Sequence, residues 1–213
     1  MVVGPEPRPG AGAAVSPPEF QEAVRAMGAA RMRPEVLCET MPAPQRIAPY
    51  AAALSADVTV DGLDVSTGRI ILLHDPAGND AWEGTFRCVA YARAEIDLEM
   101  ITDPALAEVG WSWLAEALAA HGASYTAASG TVTRVATDSF GQMADDAGSA
   151  QIEIRASWTP LPADDTDSAD GSLNITGHVE AWGELLCTAA GLPPVPEGVT
   201  PMPSRRGQRG AGH

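Results

Sequence analysis

Lysine is absent from this chain. All 13 basic residues are arginine, set against 28 aspartates and glutamates, and the net charge is −15. With alanine, glycine and proline abundant, the arginine-only usage reads as G+C-rich coding. The charge deficit has a physical consequence. Arg205, Arg206 and Arg209 are the only charged side chains after Pro203, so that tail carries +3 and the rest of the chain −18. A body this acidic repels phosphate backbones, which argues against nucleic-acid binding, and so few arginines make only a small electrostatic patch. Cysteine is scarce as well. Cys38, Cys88 and Cys187 are odd in number and far apart, with neither a C-x-x-C pair nor His/Cys ligand spacing. Neither a disulfide framework nor a structural zinc site is indicated. No run approaches the ~18 apolar residues of a membrane span. The opening MVVGPEPRPGAG has no apolar stretch of the secretory kind. The expectation is a soluble, reduced, cytoplasmic protein, with no membrane, metal or cofactor.

The chemical motifs are missing too. There is no serine nucleophile elbow, no P-loop and no G-x-G-x-x-G fingerprint in strand–helix context. GASYTAASGT is bounded by glycines but lacks the phosphate-loop lysine.

What is present is a single domain's worth of alternating pattern. Residues 1–15 and 193–213 are Pro/Gly-rich and read as disordered tails around a domain over 16–192. SPPE places Ser16 at an N-cap, Pro17 at the first helical position and Glu19 where a capping box needs its carboxylate. Phe20, Ala23, Val24 and Met27 then share one helical face. A short strand follows at Val36–Thr40. Leu54, Ala56, Val58 and Val60 alternate with polar residues as a half-buried strand. DGLDVSTG is a turn, and Arg69–Leu73 is an apolar strand ending at His74. From Thr85 to Ile96, Phe86, Cys88, Ala90, Ala92, Ala94 and Ile96 face one way. Thr85, Arg87, Tyr91, Arg93 and Glu95 face the other, as in an antiparallel sheet with one covered face.

A second helix opens at Asp103-Pro104 and closes at Gly122, with Leu106, Val109 or Gly110, Trp113, Ala117 and Leu118 as its buried stripe. Two strands follow, within Ser124–Thr137 and over Gln151–Thr159. The acidic stretch 162–173 is a solvated loop. A third helix carries Ile175, Val179, Trp182, Leu185, Leu186 and Ala189. The order α-β(3–4)-α-β-β-α predicts a two-layer α+β sandwich, with about three helices on a mostly antiparallel sheet of five to six strands. Its element order is similar to that of the type III secretion-chaperone-like fold, and such an analogy of topology carries no function.

Several candidate positions follow from residue type. In ILLHDPAGNDAWEGTFR, a histidine at a strand end can act as a general base if a carboxylate orients it. Asp75 is an adjacent residue on an extended strand and points the other way. Before Pro76 it suits a turn opener. The functional alternative is a polar ligand pocket lined by His74, Asp75, Asn79, Trp82 and Arg87. Trp111, two residues from Trp113 on a different side of the helix, is a candidate partner anchor, because tryptophan is enriched at interface hot spots. Arg87, Arg93 and Arg155 on polar strand faces make either an anion-binding face or cross-strand charge pairs. Asp164, Asp165, Asp167 and Asp170 lack the glycine and terminal glutamate of an EF-hand loop, and Asp145-Asp146 is similar. His121 suits the negative end of the second helix, and His178 packs beside Trp182.

The strings RIAPYAAALSA, LLHDPAGNDAWEGTFR, DPALAEVGWSWL, GTVTR, RASWTPL and LLCTAAGLPP together resemble an actinobacterial family of uncharacterised proteins, catalogued as domain of unknown function 3000. The resemblance spans roughly residues 18–203. It implies no activity and no site residues. The functional expectation is therefore a non-catalytic protein-binding module, adaptor or chaperone-like, contacting a protein partner or a second copy in a homodimer through a sheet face, a sheet edge or Trp111. The alternative is a small enzyme or small-molecule binder at the His74–Trp82 loop.

Overall fold

The computed structural model describes residues 16–143, 148–162 and 173–194. The expected tails, apart from Pro193 and Pro194, the acidic cluster Asp164–Asp170 and Asp145-Asp146 lie outside the described residues. Three helices, α1 (Pro18–Ala29), α2 (Leu106–Ala120) and α3 (Ile175–Ala189), accompany six strands. The strands are β1 (Val36–Met41), β2 (Tyr50–Val60), β3 (Leu63–Asn79), β4 (Gly84–Ile96), β5 (Tyr125–Thr137) and β6 (Ser149–Pro160). They form one sheet in the order β1-β2-β3-β4-β6-β5. Every neighbouring pair is antiparallel. This is the expected α+β architecture.

The sheet alternates as its sequence does. Leu54, Ala56, Val58, Ile70, Leu72, Phe86, Cys88, Ala90, Ala92, Ala94, Ile152, Ile154 and Trp158 form one buried core with residues of all three helices. Central in the helix layer is α3, which contacts α1, α2 and the sheet. It is buried nearly all round, with Val179, Trp182, Leu185 and Leu186 at or below 1 % exposure. A helix apolar on every side belongs in the interior. Gly68 lets α3 come close: a Cβ there would sit 2.5 Å from the Tyr91 carbonyl and 2.7 Å from Leu186 Cδ2. Asn174 caps α3 by accepting from the Gly177 N–H, and its amide donates to the His121 and Gly122 carbonyls at the end of α2. One side chain thus fixes two helix ends against each other.

Several local expectations are corrected. The turn before β3 is only Asp61-Gly62, with φ of 52° and 84°. That is the two-residue hairpin for which Asp-Gly is suited, and β3 runs 17 residues from Leu63. Nor does β3 end at His74; it continues to Asn79 across a register shift. The Ser16–Glu19 capping box does not form. Pro17 is the N-cap, without a side-chain bond, and helix starts at Pro18. Asp103 caps a turn, accepting from Ala105 N–H at 2.8 Å, before α2 begins at Leu106. The buried stripe of α2 is Leu106, Gly110, Leu114, Ala117 and Leu118, leaving Val109 exposed and Trp113 half-buried. Leu114 continues the i, i+4, i+8 line from Leu106, whereas Trp113 falls one residue to its side.

Candidate functional site

The five residues of the His74 loop are divided between the two sides of the sheet. His74 faces the helices. Across the strands it stands opposite Tyr50 and Phe86, and its ring is 1 % exposed. Phe86 stacks on it at 4.1 Å between centroids, with Phe20 of α1 at 5.8 Å and Tyr50 at 6.0 Å. Its Nδ1 lies 3.0 Å from the Thr85 carbonyl. A carbonyl only accepts, so the proton belongs on Nδ1. Nε2 is left without a hydrogen bond, 3.5 Å from Glu19 Oε1. The carboxylate meant for a capping box therefore reaches the histidine.

Arg87 projects to the opposite face, in register with Leu73. Asp75 accepts from the Ala77 N–H and Asn79 from the Ala81 N–H, which are the turn roles their side chains favour. Trp82 is half-buried, and its carbonyl accepts the Thr159 hydroxyl proton. Since Thr159 also accepts from Arg87, the backbone at Trp82 lies on the Arg87 side. His74 and Arg87, on opposite faces, do not share a pocket among the described residues.

The side that none of the described helices covers has its own order. Cross-strand register aligns Ser55, Arg69, Tyr91, Arg155 and Thr131 in one row. The next row is Ala53, Ile71, Val89, Ser157 and Ser129. Between them lies an open groove of about 470 Å³, with Ile71 and Val89 among its lining residues. Tyr91 is held between two guanidinium groups, 5.4 Å from Arg69 and 5.1 Å from Arg155, within cation–π range. Its hydroxyl donates to Glu153 at 3.1 Å. Burial, and then the Glu153 carboxylate, push the Tyr91 pKa above its ordinary value. Glu153 also pairs with Arg155 at 2.8 Å. Of the two readings of this face, Arg155 follows the charge pair. Arg69 makes no ion pair among the described residues.

Arg87 is the unusual member. It is 7 % exposed and has no carboxylate partner among the described residues. Its guanidinium donates instead to the carbonyls of Ala127 and Ser157 and to the hydroxyls of Thr159, Ser129 and Ser157. Burial lowers its pKa from the ordinary value, but a guanidinium stays charged. Ser129 and Ser157 both line the groove. The two hydroxyls also bond each other at 3.3 Å, so the pair, with its oxygens accepting from Arg87, keeps one hydrogen to point elsewhere. Sequence reasoning placed Arg87 on the polar face but missed Ser129 and Ser157, whose only signal was strand alternation.

Trp111 is half-buried and packs over β5; a Cβ on Gly130 would lie 2.7 Å from its ring. His178 is fully buried, and Trp158 Nε1 donates to its Nδ1 at 3.0 Å. Burial pushes its pKa down to about 4, with the Ser124 backbone acting in the opposite sense. Cys88 and Cys187 are buried, and burial pushes both thiols up to about 12, far from reactive thiolates. Among the described residues no three His, Cys, Asp or Glu side chains are placed to share a metal. No helix among them is long and apolar enough to cross a membrane.

The family described as "Protein of unknown function (DUF3000)" matches residues 16–200. The chain belongs to this family. The match takes in every described element, so both faces of the sheet are features of the family domain as this chain builds it. Among curated proteins and solved structures, none matches the chain.

Proposed function

We propose that this chain is a non-catalytic protein-binding module, an adaptor in the broad sense, that takes its partner on the helix-free face of its sheet. One observation carries the reading. All three helices contribute to a single core on one side, while the other side presents apolar Ile71 and Val89 beside Arg69, Tyr91 and Arg155. Aromatic and arginine side chains around an apolar centre are the composition of interface cores. Trp111, packed over Gly130 against the core, lies on the helix side and not on this face.

The test is paired affinity capture with three proteins: wild type, Val89→Asp on the open face, and Glu116→Arg on the exposed side of α2. A near-stoichiometric partner held by wild type and Glu116→Arg but lost by Val89→Asp supports the reading. Equal retention by all three overturns it.

A second reading has its own observation, the buried Nε2 of His74 beside Glu19. It makes the aromatic enclosure of Phe20, Tyr50 and Phe86 a small-molecule site. His74→Phe would then keep the fold and lose metabolite-induced thermal stabilisation. A metabolite shift identical in wild type and variant removes it.

A further inference from the structure

The groove carries a charge pattern opposed to that of the whole molecule. The chain bears −15, yet none of the groove's lining residues is a carboxylate and two are arginine. Glu153, at the rim, neutralises Arg155. Arg69 is not neutralised, and Arg87 lies behind Ser129 and Ser157 with no carboxylate among the described residues. A buried cation without a counter-ion is costly to keep. Here its donors are satisfied by neutral oxygens, and the Glu83 carboxylate acts on it only through space, without an ion pair. Its field is relayed outward, because the Ser129–Ser157 hydroxyl pair accepts from the guanidinium and keeps one hydrogen to present to the groove. Beside this polar array runs the apolar strip of Ile71 and Val89.

On the reading that the open face is the binding surface, we propose that the groove takes an acidic–apolar segment of a partner protein. One carboxylate of that segment accepts from Arg69, a second from the hydrogen that the Ser129–Ser157 pair keeps free, and a neighbouring aliphatic side chain lies on Ile71 and Val89. Charge complementarity selects this occupant. A basic segment would meet Arg69 without a lining carboxylate to offset it. Nucleic acid offers the anion, but its backbone has no aliphatic side chain to lay on Ile71 and Val89.

The experiment is an amide NMR titration of the full chain with two synthetic peptides. One is acetyl-Leu-Asp-Leu-Glu-Leu-amide; the other is its neutral counterpart with Asn and Gln. The acidic peptide is expected to shift amides at 69–71, 89–91, 129–131 and 155–157. Its binding should weaken as salt rises from about 50 to about 300 mM. Arg69→Glu should weaken it by about tenfold or more, the worth of one charge-assisted hydrogen bond. Arg69 is exposed and unpaired, so this variant should fold; Arg69→Ala, expected to weaken binding in the same direction, guards against the reversed charge acting by itself. Shifts at the groove of equal size with both peptides would overturn the acidic class and leave the open face standing. Shifts confined to the helix side, or none with either peptide, would overturn both.

Discussion

Replacing His178 with glutamine will flatten the acid limb of this protein's stability curve. The folded imidazole sits at about 4 against an ordinary 6.5. Burial is the dominant cause. Between those two values the unfolded chain binds a proton that the folded chain refuses. Stability is therefore complete above 6.5, falls as the pH drops through the window, and levels off below 4. At ~1.4 kcal/mol per pH unit, the loss between about pH 7.5 and 4.5 comes to ~2.5 kcal/mol. That is a large share of the 5–15 kcal/mol typical of a domain. Glutamine can accept the Trp158 N–H in place of Nδ1 and cannot titrate. The assay is urea unfolding of both proteins at a series of pH values. Other titrating groups are common to both and cancel in the difference, so the gap between the two stabilities isolates His178. The expected gap changes by ~2.5 kcal/mol in favour of the variant on going to low pH. Parallel curves, or an imidazole NMR signal for His178 that titrates near 6.5 in the folded protein, would refute the reasoning.

Gly68→Ala should cost about 1–3 kcal/mol, because its Cβ would meet the Tyr91 backbone and Leu186; an unchanged melting temperature would show that α3 has room to move. Arg87→Met should destabilise by about 1–3 kcal/mol through the acceptors it leaves unbonded, while Arg69→Ala stays within about 0.5 kcal/mol of wild type; the same thermal melts separate the two, and equal effects would contradict the different roles given them. Asn174→Ala should lose about 1–2 kcal/mol, since it removes the α3 cap together with the bonds to the end of α2; hydrogen exchange at Gly177 and Gly122 is the direct readout, and unaltered protection at both would refute it.

Much of the fold was legible because strand alternation and helical spacing are local signals. The buried set of β4, from Phe86 to Ala94, and the apolar run of α3 follow from period alone. Boundaries were less legible where two local signals compete. At Asp61-Gly62 the residues that follow looked turn-like by composition, but they pair with β2 from Leu63 and with β4 from Ser66. At Ser16–Glu19 a capping box was available, yet Glu19 stands beside His74 on β3, a partner 55 residues away that no window contains. Trp113 looked like core by hydrophobicity, and the phase of α2 gave that place to Leu114.

Residue order by itself determined the class of domain, which strand residues share a face, and that Arg87, Arg93 and Arg155 avoid the helix side. It also determined the acidic character of the chain, since charge is a sum over residues. Only the tertiary structure decided which neighbours those residues meet. It turned His74 and Arg87, read together as one loop site, to opposite faces of the sheet. Their strands pair with His74 opposite Phe86 and Leu73 opposite Arg87, and adjacent residues on a strand point apart. It brought Arg69 of β3, Tyr91 of β4, Arg155 of β6 and Ser129 of β5 into one groove, through the return of β6 between β4 and β5. Alternation tells which face a side chain takes. Strand order tells whom it faces there, and that order is set by non-local pairing that no local pattern encodes.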